Sequence, residues 1–142
     1  MKTILVDSIN TFIIKGEGIF KNMYGLLEKY HNEKIILTNA NDEEVKKYNL
    51  VNLPYKLFTL KHNPDKTNPK YFETLLKDFS LNNDDVLYFE HNPEAIKSAE
   101  SIGIKSYFYN SKTKDLLRLQ NFLEENGVYQ KSKSFIVGDG GN

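Results

Sequence analysis

The chain has 142 residues, enough for one domain with a substantial buried core. Its 19 basic and 19 acidic residues balance, which argues against a nucleic-acid binder working through a basic excess. It has no cysteine, which excludes disulfides, thiolate metal sites and cysteine nucleophiles, and no apolar run approaches the length of a signal peptide or membrane span, so the expected location is cytoplasmic.

In chain order, Thr3-Ile4-Leu5-Val6 is the first apolar run and reads as a strand. Ile19, Phe20, Met23, Leu26, Leu27 and Tyr30 then follow helical spacing and predict one helix face. Lys34-Ile35-Ile36-Leu37-Thr38 is a second strand. After it, Asn41 with Glu44 three residues on has the form of a capping box. Lys56 to Leu60 is a third strand. Asn68-Pro69 places a cap before a proline at the first helical position, ahead of the stripe Tyr71, Phe72, Leu75, Leu76 and Phe79. Val86 to Phe89 is a fourth strand. Asn92-Pro93 repeats the cap, and Ile96, Ala99 and Ile102 mark a helix face that Gly103 stops. Ile104 to Phe108 is a fifth strand, and Leu116, Leu119 and Leu123 mark the last helix, stopped by Gly127.

Near-continuous apolar strands suit a sheet covered on both faces. Strand–helix alternation gives parallel pairing with right-handed crossovers. The expected fold is therefore a three-layer α/β/α, Rossmann-like domain with a mostly parallel sheet over residues 1–127. Residues 128–142 read as a polar, Gly-rich tail.

Open α/β sheets bind ligands beyond the carboxyl ends of their strands. Asp7 lies at that end of the first strand, Thr38-Asn39 at the second, and Glu90-His91-Asn92 at the fourth. Lys61, His62, Asp65 and Lys66 lie between the third strand and its helix. Two carboxylates in an oxygen-rich rim suit Mg2+, and a lysine suits a phosphate. Each residue also has a plainer reading. Asp7 caps a turn, Thr38 is a strand threonine, Glu90 partners a nearby lysine, and Lys66 is a surface lysine with Lys61 and Lys70 as rivals.

Together these segments resemble the haloacid dehalogenase (HAD) superfamily. Ile4-Leu5-Val6-Asp7-Ser8-Ile9-Asn10-Thr11 matches its first motif, Asp-x-Asp-x-Thr at a strand end. Leu37-Thr38-Asn39 matches the second, Lys66-Thr67-Asn68-Pro69 the third, and Phe89-Glu90-His91-Asn92-Pro93 the fourth. The resemblance runs from Thr3 to about Tyr109. It implies a Mg2+-dependent phosphatase or phosphohydrolase acting on a small phosphorylated substrate, with Asp7 as nucleophile. Thr38 would bind the phosphoryl group and Lys66 would neutralise it. Asp7, the main-chain carbonyl of Ile9, and Glu90 would hold the metal.

Three departures weigh against ordinary turnover. Ile9 stands where the family has its general acid/base, a group worth ~10²–10⁴-fold in rate. Glu90 replaces an aspartate, and His91 replaces the second acid although imidazole is a poor ligand for magnesium. The rival expectation is a catalytically degenerate member that binds a partner on the same rim. The insertion between the first two motifs, Thr11 to Lys34, predicts a minimal cap of one helix, with Gly16 and Gly18 able to hinge a flap. A second stretch, Phe135 to Asn142, carries Gly-Asp-Gly-x-Asn, the other common form of the fourth motif. Glu90 is the preferred placement because a helix and a strand follow it.

Overall fold

All five residues of the first strand, β1 (Thr3–Asp7), are buried. Four are apolar or β-branched, and helices cover both faces of the strand they form. The structure, a computed structural model, describes residues 1–132. The chain continues through a two-stranded antiparallel hairpin, β2 (Ile13–Ile14) and β3 (Gly18–Ile19), into α1 (Lys21–Leu27). It then alternates: β4 (Lys34–Thr38), α2 (Asp42–Lys47), β5 (Lys56–Thr59), α3 (Pro69–Asp78), β6 (Val86–Glu90), α4 (Pro93–Glu100), β7 (Lys105–Phe108) and α5 (Leu116–Glu125).

The main sheet has the order β5-β4-β1-β6-β7, and every pairing in it is parallel. Alternation along the strands divides the core in two. Ile4, Val6, Ile36, Leu87 and Phe89 face Met23 and Leu27 of α1 and Leu119 and Leu123 of α5. Leu5, Ile35, Leu37 and Tyr88 face Tyr71, Phe72 and Leu75 of α3 and Ala99 of α4. This is the expected three-layer α/β/α arrangement.

The sequence-predicted caps form as drawn. Asn41 and Glu44 make a reciprocal capping box on α2, and Asn68 and Asn92 each accept a main-chain N–H behind a proline. The first helix needs correction. Ile19 is not helical but pairs with Ile13 across the hairpin, and Phe20 only caps α1. Gly16 and Gly18, at φ 79° and 94°, permit that tight reversal, so the cap is a hairpin plus one short helix. Tyr30 lies beyond the helix end, fully buried, with its hydroxyl donating to Glu124 at 2.7 Å. The first residues of the expected tail pack on the core: Val128 is buried and the Lys131 N–H bonds the Lys29 carbonyl at 2.8 Å. Phe135 to Asn142 lie outside the described residues. Among the described residues, no helix is long and apolar enough to cross a membrane.

Candidate active site

The register of β1 against β6 pairs Val6 with Phe89, so Asp7 and Glu90 emerge side by side one residue later, at the carboxyl ends of their strands. Lys66 reaches between them from the loop ahead of α3. Its ammonium donates to Asp7 Oδ1 at 2.7 Å and to Glu90 Oε1 at 2.8 Å. The side chains are 8%, 2% and 1% exposed for Lys66, Asp7 and Glu90, so this is a buried ion triad rather than a surface pair. The lysine is placed by its own backbone: the Lys66 N–H donates to Asn39 Oδ1 at 2.7 Å, tying its loop to the end of β4.

One ammonium does not balance two buried carboxylates, and the second positive partner is His91. Its Nδ1 lies 2.5 Å from Asp7 Oδ2 and 3.4 Å from Glu90 Oε2. Thr11 Oγ1 donates to the same Asp7 oxygen at 2.6 Å. Tyr88 donates its hydroxyl to Glu90 Oε1, and the Asn92 N–H donates to Glu90 Oε2 at 3.0 Å. Burial pushes the Asp7 carboxyl up, but Lys66 and His91 outweigh it and hold the group well below the usual carboxylate range. Burial likewise pushes Lys66 down, and the two carboxylates more than reverse it. Hydrogen bonds to Asp7 and Glu90 push the His91 imidazole up to about 9. At neutral pH the cluster is then close to electroneutral.

The cluster forms one wall of an open pocket of about 230 Å³. Ile9, Thr38, Lys15 of the β2–β3 turn and His62 also line it. His62 bridges two carboxylates, with Nδ1 at 2.8 Å from Asp65 and Nε2 at 2.5 Å from Glu44. These bonds raise its pKa above the ordinary imidazole value. Asp7, Glu90 and His91 each offer a ligand atom, and the three atoms lie within 4.8 Å of one another. Two buried carboxylates fit a hard divalent cation, while the imidazole is the member that a magnesium site would not choose.

The structure gathers Asp7, Ile9, Thr38, Lys66 and Glu90 at this pocket. Thr38 is buried, and its Oγ1 accepts the Ala40 N–H at 3.2 Å. The choice among the three lysines falls to Lys66, because Lys61 pairs with Asp42 on the surface and Lys70 is exposed at the start of α3. Sequence reasoning did not assign roles to Thr11, Tyr88 and Asn39, which hold Asp7, Glu90 and Lys66. Tyr88 carried a signal, being two residues from Glu90 on a strand and so on the same face.

No family model and no curated protein matches the sequence. Solved structures do match in fold. The core domain of a putative phosphoglycolate phosphatase from Streptococcus pneumoniae superposes with a TM-score of 0.60 at 16% identity, over 87% of this chain and 96% of that one. An uncharacterized protein from Corynebacterium glutamicum gives 0.58 at 12% identity, over 93% and 99%. The UTR4 protein of Saccharomyces cerevisiae gives 0.48 at 17% identity. There the match covers 67% of this chain and 48% of the yeast one, about half its length. At these identities the likeness is one of fold.

Proposed function

We propose that the chain is a cytoplasmic, HAD-type phosphohydrolase that acts on a small phosphorylated substrate through Asp7, with Mg2+ as cofactor. The observation that carries this reading is the Lys66 ammonium held between Asp7 and Glu90 in a buried site that opens on a pocket. An Asp7 oxygen attacks phosphorus, the bond to the leaving oxygen breaks, and water later releases phosphate from the aspartyl intermediate. Lys66 and Thr38 hold the phosphoryl oxygens as charge develops on them. Asp7, the Ile9 carbonyl and Glu90 are the groups that would hold Mg2+, which supplies further charge neutralisation when bound.

The test is release of phosphate from a panel of phosphate esters, phosphonates and acyl phosphates, with and without Mg2+. Activity should need the metal and vanish in Asp7→Asn. Equal inactivity of wild type and Asp7→Asn across the panel overturns the reading.

A second reading is favoured by one feature: the apolar Ile9 beside a nucleophile whose Oδ2 is already engaged by His91 and Thr11. In that reading the pocket is a binding site for a ligand or protein partner and catalysis is lost. It predicts no Mg2+-linked rise in melting temperature, since only an ion that binds the folded state raises it.

A further inference from the structure

The loop between β5 and α3 carries Lys66 into the buried triad, and two of its residues hold a backbone shape that side chains rarely adopt. Lys61 and His62, in succession, have φ 55° and 66°. The left-handed conformation costs energy in residues other than glycine and persists only where the surroundings hold it. Part of that hold is local, since the Lys61 N–H donates to Thr59 Oγ1 at 3.0 Å. The rest is made by the His62 ring. Its Nε2 lies 2.5 Å from Glu44 Oε1 and its Nδ1 lies 2.8 Å from Asp65 Oδ1. Glu44 is a fixed anchor, because the same oxygen accepts the Asn41 N–H at 3.0 Å in the capping box of α2. Asp65 is the residue next to Lys66. His62 therefore joins the first turn of α2 to the residue that precedes the lysine of the triad.

A carboxylate at each ring nitrogen has a chemical consequence. Neutral imidazole carries one N–H, so it donates to one carboxylate and turns a lone pair on the other. Only imidazolium donates to both. The two carboxylates favour that form and hold the His62 titration above its ordinary value of 6.5. Other charged groups stand around it. Lys61 bridges to Asp42 of α2 at 3.1 Å, Lys47 acts on Glu44, and Lys15 of the hairpin lines the same pocket, as do Lys66 and His91. The other tie on the loop, from the Lys66 N–H to Asn39 Oδ1, involves no group that titrates in this range.

We propose that His62 is a positioning residue: as imidazolium it clips the Lys66 loop to α2, and loss of its proton frees one end of the clip and loosens the loop beside Lys66. The contact is complete below the ordinary imidazole value and is lost as pH rises through the folded-state value. The wall of the pocket that presents Lys66 is thus firm on the acid side of the His62 titration and slack on the alkaline side. The clip requires no turnover at Asp7.

Imidazole and backbone NMR of the full chain from about pH 5 to pH 9 is the test. The His62 ring should titrate with a midpoint above 6.5. Across that midpoint the hydrogen-exchange protection factor of the Lys66 amide, corrected for intrinsic exchange, should fall. With the ring 43% exposed, the fall should be about threefold, the size of an exposed charged contact. The amides of Val6 and Phe89 are the reference, since a general loss of stability would move them too. In Glu44→Gln, which a capping box accepts, the ring midpoint should drop towards 6.5 and the fall in Lys66 protection should drop with it. In His62→Gln the fall should disappear. A wild-type ring midpoint at or below 6.5 overturns the proposal. So does a Lys66 amide whose protection stays level while the ring titrates, or one that moves only in step with Val6 and Phe89. None of these readouts needs a substrate, so failure of the Asp7 reading is registered separately, by the phosphate-release panel.

Discussion

Lys66 holds two carboxylates that have almost no access to water, and it does so with a side chain that is itself 8% exposed. Removing it leaves Asp7 and Glu90 buried without their shared partner, the situation in which a broken ion pair is most damaging. Lys66→Met keeps most of the aliphatic stem and should destabilise the fold by about 3–5 kcal/mol at pH 7, read by urea unfolding. Adding Asp7→Asn should recover part of that loss, because it removes one of the stranded charges. The sign with pH follows from Asp7. Its titration is depressed in the fold, so its contribution is complete above the ordinary value of 3.8 and fades as pH falls through the folded-state value. The gap between wild type and Lys66→Met should therefore narrow below about pH 4. A variant within 1 kcal/mol of wild type at neutral pH, a difference ordinary for surface substitutions of about this size, would mean that the triad does not form in solution. At this scale the sequence was readable where chemistry coincides with a strand end: Asp7, Thr38 and Glu90. Choosing Lys66 over Lys61 and Lys70 was not, because the Asn39 side chain that fixes the loop belongs to a different element.

The elements were legible to the degree that their periods are long. The three inner strands show as near-continuous apolar runs because helices cover both sheet faces, and three Asn caps show because capping is local chemistry. The β2–β3 hairpin was not, since two-residue strands carry no period and Ile19 and Phe20 fall in phase with Met23. The joint between α4 and β7 was legible as a stop at Gly103, but not its tightness. Gly103 has φ 88°, and a Cβ there would meet Asn83 Nδ2 at 2.5 Å. That amide donates to the Ile102 carbonyl at 2.8 Å, so it is not free to swing away. Gly103→Ala should cost about 1–3 kcal/mol by chemical unfolding, combining backbone strain with the clash. Gly16→Ala has a similar φ of 79° but open space around its Cβ, and should cost less. Equal losses at the two sites would mean that the Asn83 contact adds nothing.

Across the whole molecule, the sheet order puts the chemistry on its most protected strands. β1 lies at the centre, flanked by β4 and β6, while β5 and β7 are the edges. Exposure follows that order: β1, β4 and β6 are buried throughout, whereas β7 leaves Phe108 49% exposed. Asp7, Thr38 and Glu90 thus stand at the ends of the three inner strands, and the loop before α3, tied to the end of β4 through Asn39, brings Lys66 to them. Opening an inner strand breaks ladders on both sides and uncovers both halves of the core, so it should require global unfolding. Hydrogen exchange gives the measure. Amides of Ile4 to Val6 and Leu87 to Phe89 should exchange only at the global unfolding free energy, with a denaturant slope equal to that of equilibrium unfolding. Amides at the exposed end of β7 and in the β2–β3 turn should exchange faster and with a smaller slope. If the β1 amides exchanged as readily as those of β7, the ends of the inner strands would not be rigid enough to keep Asp7 and Glu90 on one ammonium.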